Sequence, residues 1–166
     1  VAAAAFGAST SAVRAEKFDP ENLSSMAWAL ARFSCRDVPL LDAIASSSMP
    51  KIAEFKAQGV SNTVWACATL AFLDCPLLEA MSHAAQSNIG KFKPQEMANT
   101  AWSFAKLLYD DRPLLKAIAS GAIDKIGSFS SRDIANTAWA FAKLGCQHSP
   151  LLDSLAEAAI GTIGGP

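Results

Sequence analysis

The stretch at residues 91–127, KFKPQEMANTAWSFAKLLYDDRPLLKAIASGAIDKIG, reads as two helices, and its pattern recurs at a step of 37 residues. Trp28, Trp65, Trp102 and Trp139 keep that step. So do Phe18, Phe55, Phe92 and Phe129, the Leu-Leu pairs that follow Pro39, Pro76, Pro113 and Pro150, and Ile52, Ile89, Ile126 and Ile163. No insertion breaks the register from Phe18 onward. A fixed period of this size is the signature of a stacked repeat array. Such arrays commonly bind long ligands along one face.

Within the quoted unit, Pro94 suits the first position of a helix, where its missing N–H is no loss. The phenylalanine column stands just before each helix cap, with Leu23, Val60, Met97 and Ile134 five residues later. That is the spacing of a hydrophobic staple. Ser130 and Asp133 can add a capping box in the fourth unit. The helix is expected to run to about Leu107, where Asp110-Asp111-Arg112-Pro113 breaks it and caps a second helix. Leu114, Leu115, Ile118, Ala122 and Ile126 then form an apolar stripe at helical spacing. No run alternates as a strand does. The fold expected is all-α: an α-solenoid of about four stacked helix–turn–helix repeats over residues 18–166.

Residues 1–17 form a separate N-terminal segment, VAAAAFGASTSAVRAEK. Two readings stand for it: a degenerate second helix of a preceding repeat, or a transit-peptide remnant with an Ala/Ser-rich, acid-poor start. The start at Val1 is read as a processed or partial product.

Of the 166 residues, 51% are hydrophobic and 17% charged, with a net charge of −1. Bulk composition therefore does not mark a basic nucleic-acid binder. No stretch reaches the about 18 uninterrupted apolar residues of a membrane span. Cys35, Cys67, Cys75 and Cys146 form no C-x-x-C pair, and only His83 and His148 could join them, which argues against zinc. Buried thiols in a reducing compartment are expected. No catalytic constellation is present: the two histidines occupy different repeat columns, are expected in solvent, and have no nucleophile beside them. Neither enzymatic activity nor a cofactor is expected.

On a helical wheel the first helix buries the columns of Leu23, Ala27, Leu30 and Phe33. Its opposite side carries a polar stripe. The stripe reads Glu21, Ser25, Ala29, Arg32, Arg36 in repeat one and Gln58, Asn62, Ala66, Thr69, Leu73 in repeat two. It continues as Gln95, Asn99, Ser103, Lys106, Asp110 and then Arg132, Asn136, Ala140, Lys143, Gln147. Amides suit base edges, while Lys and Arg suit phosphates. The stripe has a net charge of +3, from Arg32, Arg36, Lys106, Arg132 and Lys143 against Glu21 and Asp110. The second-helix side has a net charge of −5, from Asp37, Asp42, Asp74, Glu79, Asp111, Asp153 and Glu157 against Arg112 and Lys116. This segregation is a weak electrostatic footprint for a polyanion.

Gln58, Asn62, Gln95, Asn99, Lys106, Arg132, Asn136 and Lys143 are the candidate nucleic-acid-contacting residues. The asparagine column has a competing reading as a hydrogen-bond ladder between repeats. The tryptophans are read as structural wedges against Ala31, Ala68, Ala105 and Ala142, because large-against-small pairing packs well. A base-stacking platform is the alternative. The phenylalanine column is likewise read as structural.

The motif ANTAW-[SA]-FAKL stands at residues 98–107 and again at 135–144. It resembles the octotricopeptide and heptatricopeptide repeat proteins, and the period matches the heptatricopeptide class. Repeat one departs at Ser25-Met26, and repeat two at Val64, Cys67 and Thr69. The resemblance implies a helical-repeat protein of the mitochondrion or chloroplast that binds single-stranded RNA in maturation, stabilisation, translation or ribosome assembly. The alternative function is a scaffold that docks proteins within a larger organellar complex.

Overall fold

The computed structural model describes residues 18–163. The N-terminal segment 1–17 lies outside the described residues, as do residues 164–166. Four helical hairpins follow one another: α1 (Pro20–Arg32) and α2 (Val38–Ser48), α3 (Ala57–Thr69) and α4 (Cys75–Asn88), α5 (Pro94–Lys106) and α6 (Arg112–Lys125), α7 (Ser131–Lys143) and α8 (Ser149–Ile163). Short 3-10 turns at Met49–Glu54, Ile89–Lys91 and Ile126–Ser128 join successive hairpins. No strand occurs among the described residues. First helices stack on first helices, α1 on α3 on α5 on α7, and α4 packs on α6 and α6 on α8. The architecture is the expected all-α solenoid.

Local chemistry explains most of the helix boundaries. Pro20 and Pro94 open α1 and α5. Glu96 accepts from the backbone N–H of Lys93 at 2.8 Å. Ser130 and Asp133 form the expected reciprocal box at the start of α7. Leu23, Val60, Met97 and Ile134 are buried beneath the entries, as the staple requires. Phe55, Phe92 and Phe129 are buried with them, while Phe18, at the start of the described array, is 37% exposed.

The second helices are capped by one column. Asp37, Asp74 and Asp111 accept from the N–H groups of Leu40, Leu77 and Leu114 at 3.1, 2.9 and 2.9 Å. In the fourth repeat that place falls to His148, whose Nδ1 accepts from the Leu151 N–H at 3.2 Å. His148 is therefore a half-buried cap and not the solvent-facing side chain expected; His83 is exposed. Three of the acids counted on the second-helix side thus serve helix N-termini, where the dipole favours negative charge.

Each first helix ends in a left-handed residue: Ser34, Ala71, Leu108 and Gly145 have φ of 53°, 50°, 55° and 61°. The following N–H groups, of Cys35, Phe72, Tyr109 and Cys146, reach back to Leu30, Cys67, Phe104 and Phe141 at 2.8–2.9 Å. This is the Schellman arrangement, which satisfies otherwise orphaned carbonyls. Arginines of the preceding repeat complete two of these turns. Arg36 donates to the Leu70 carbonyl at 3.0 Å, and Arg112 to the Leu144 carbonyl at 2.9 Å. Lys125 ties the end of α6 to the turn ahead of α5, donating to the Gly90 and Phe92 carbonyls at 2.7 Å each.

Several expected burials are corrected. Phe33 is 84% exposed, because it sits past the end of α1 and no described repeat packs before it. Ala31, Ala68 and Ala105 are buried, whereas Ala142, in the last described repeat, is exposed. Among the thiols, all free, only Cys67 is buried; Cys35 and Cys75 are exposed and Cys146 half-buried. Burial pushes the Cys67 thiol up to about 12, with the Asp74 carboxylate adding to the shift.

Candidate nucleic-acid interface

The outer face of the stacked first helices brings the sequence-selected residues together as a ladder. Gln58, Gln95 and Arg132, near the helix starts, are exposed. Asn62, Asn99 and Asn136 are half-buried one turn further on. Lys106 and Lys143 are exposed at the helix ends. Their charge there also suits the negative end of the helix dipole.

The stripe is not solvated throughout. Ala66, Ser103 and Ala140 are fully buried, because adjacent first helices approach over this small column. Ser103 turns its hydroxyl back to the Asn99 carbonyl at 2.6 Å. The asparagine side chains make no hydrogen bond to one another or to other described residues, so the inter-repeat ladder reading is not met. Three partly covered amides therefore stand on this face with donors and acceptors available.

The two ends of the stripe differ. Asp19, Glu21, Ser25, Glu54, Gln58 and Asn62 line a cleft of about 360 Å³ between repeats one and two. Asp19, Glu21 and Glu54 outnumber Lys56, the cation in the same lining, which makes the cleft a poor place for phosphate. Arg36 is occupied by the carbonyls of the next repeat. The cationic character is concentrated instead in repeats three and four, on Lys106, Arg132 and Lys143.

Sequence reasoning favoured a structural role for the tryptophans, with a base-stacking platform as the alternative. The structure puts them on the face. Trp28 and Trp139 are 44% and 42% exposed, and Trp65 and Trp102 are half-buried, so they are not buried wedges. Asn99, Trp102 and Lys106 are spaced i, i+3, i+7, which lines them up on one side of α5. Asn136, Trp139 and Lys143 repeat the set on α7. Trp102 and Trp139 lie with ring centroids 6.4 Å apart and planes inclined at 34°. The Arg32 guanidinium stands 5.8 Å over the Trp28 ring. The signal available in the sequence was the spacing itself.

Fold and face together define a helical-repeat protein with an extended polar and aromatic surface running across its first helices. The chain belongs to the family of the RNA-editing substrate-binding complex 6 protein, whose family model matches residues 9–148. No curated protein matches the chain. Among the described residues no group of His, Cys, Asp and Glu is arranged to hold a metal, and no helix is long and apolar enough to cross a membrane.

Proposed function

We propose that this chain is a non-catalytic subunit that holds single-stranded RNA on the outer face of its first helices within a larger RNA-processing assembly. The observation that carries the reading is the unpaired amide column, Asn62, Asn99 and Asn136, ending at the exposed cations Lys106 and Lys143. Family membership supports it, because the family takes its name from a complex that binds the substrates of RNA editing. In this reading Lys106, Lys143 and Arg132 meet phosphates, while Gln95, Asn99 and Asn136 meet bases or sugars. Gln58 and Asn62, beside the acidic cleft, meet bases only.

The finer kinship proposed is with octotricopeptide and heptatricopeptide repeats, supported by the period and by the two ANTAW motifs. With that proposed kinship goes a proposed location in a mitochondrion or chloroplast, which imaging of a tagged full-length protein tests. A scaffold role has its own support: Phe33, Leu73 and Leu108 are 84%, 58% and 65% exposed at the turns between first and second helices. That edge suits protein contacts and leaves the first-helix face open.

The experiment is a salt series of RNA binding for the wild type and for the double variant Lys106→Ala, Lys143→Ala. Binding should weaken for all sequences and its salt dependence should flatten by about 1–2 phosphate equivalents. Asn99→Ala should shift sequence preference, by about 1–3 kcal/mol for a good base contact. Absence of RNA binding at low salt, or binding unchanged in the double variant, would overturn the assignment of this face.

A further inference from the structure

We infer that the tryptophan column is a stacking platform for unpaired nucleobases, with the indole of each repeat offering a ring face between an amide or hydroxyl and the helix end. The inference rests on the reading of the first-helix face as an RNA surface and names the groups that take the bases.

Three observations carry it. The first is exposure. Ala101 and Phe104, the neighbours of Trp102 in the buried columns, are fully covered, while the indole is left partly open. The outermost indoles, Trp28 and Trp139, are more than two-fifths exposed. An apolar ring of this size held partly in water at every repeat is not what packing alone selects, since burying it would add to stability.

The second observation is company. In α5 and α7 the indole stands between an unpaired asparagine amide and a free lysine on one helix side. In α1 the same positions hold Ser25 and Arg32, and Arg32 lies over the ring. In α3 they hold Asn62 and Thr69, so repeat two lacks only the cation. A nucleotide presents a π-face, hydrogen-bonding edges and a phosphate. An indole, an amide and an ammonium are the groups that recognise these three parts.

The third observation is continuity. Trp102 and Trp139 belong to different repeats, yet their rings approach to 6.4 Å with a modest tilt. These two platforms are thus near enough to engage neighbouring bases of one strand. Base–aromatic stacking tolerates every base, so this column supplies affinity while the asparagine column supplies preference.

The chain contains four tryptophans, all in this column, so tryptophan fluorescence, excited beyond the absorption of Tyr109, reports on this column alone. The full chain is titrated with short mixed-sequence single-stranded RNA and with the same backbone lacking its bases. Stacking predicts quenching by RNA and none by the abasic strand at equal bound fraction. Trp139→Leu should weaken RNA binding about 5- to 100-fold, Trp139→Phe should retain most of it, and neither should alter binding of the abasic strand. Circular dichroism checks that both variants stay folded, which the exposure of Trp139 favours. RNA binding that depends on Lys106 and Lys143, yet leaves the fluorescence unquenched and tolerates Trp139→Leu, would overturn the platform and leave the RNA face standing. No binding of either strand at low salt would overturn both.

Discussion

The left-handed turn that ends each first helix makes a quantitative prediction at Gly145. Its φ is +61°, and a Cβ built there would meet nothing within 4 Å. Gly145→Ala therefore introduces no clash with another residue, and only the backbone responds. Holding an L-residue in this region costs about 1–2 kcal/mol. The reduced freedom of the unfolded chain returns about 0.4–1 kcal/mol of that. The net expectation is a loss of about 1 kcal/mol. Ala71, with φ of 50°, occupies the equivalent place in repeat two and is exposed. Ala71→Gly should stabilise by a similar amount, and the double variant should return close to wild type, since the two turns lie in repeats that are not neighbours. Urea titration followed by circular dichroism measures this. The midpoint should move down for Gly145→Ala and up for Ala71→Gly, with the slope unchanged. A neutral or stabilising Gly145→Ala, or a destabilising Ala71→Gly, would mean that the helices do not end in left-handed turns.

Other expectations follow from single sites. His148→Asp restores the carboxylate found at the other three second-helix caps and should raise stability by about 0.5–1 kcal/mol in thermal unfolding. Thr137 has a fully buried hydroxyl without a partner, whereas the Thr100 hydroxyl donates to the Glu96 carbonyl at 2.7 Å. Thr137→Val should then stabilise by about 1 kcal/mol and Thr100→Val should destabilise, a contrast that equal effects of the two would refute. With its thiol pushed up to about 12, Cys67 should resist alkylation at mildly alkaline pH until the chain is unfolded, while the exposed Cys35 and Cys75 react. Mass spectrometry of labelled peptides separates the three.

Much of the array was legible because its signals are local. Pro94 opens α5 where its ring is tolerated, and Ser130 with Asp133 caps α7, as the spacing of those residues alone implies. The turns were less legible. Of Ser34, Ala71, Leu108 and Gly145, only the glycine advertises a positive φ, and the other three adopt it under the constraint of the fold. His148 was misplaced because histidine is an unusual cap, and only its alignment with Asp37, Asp74 and Asp111 marks the role. On the candidate interface, a helical wheel gives the angle of Trp102 and Asn99 but not the approach of the next helix. That approach buries Ser103 while leaving the indole part-open. Arg36 was counted as a surface cation because its partners, the carbonyls of Leu70 and Ala71, lie a repeat away.

The one-after-another packing of the hairpins has a kinetic consequence. The principal helix contacts join elements within a repeat or in neighbouring repeats. No large loop must close before native contacts form, so contact order is low and folding should be fast for a chain of this length. A lone hairpin has neighbours on neither side, so a peptide spanning residues 92–129 should remain unfolded. The first stable nucleus needs two adjacent repeats. Repeat three combines the staple at Met97, the buried Phe104 and flanking repeats on both sides. Growth from there, zippering outward in either direction, makes the outer hairpins of the described array form after the inner ones.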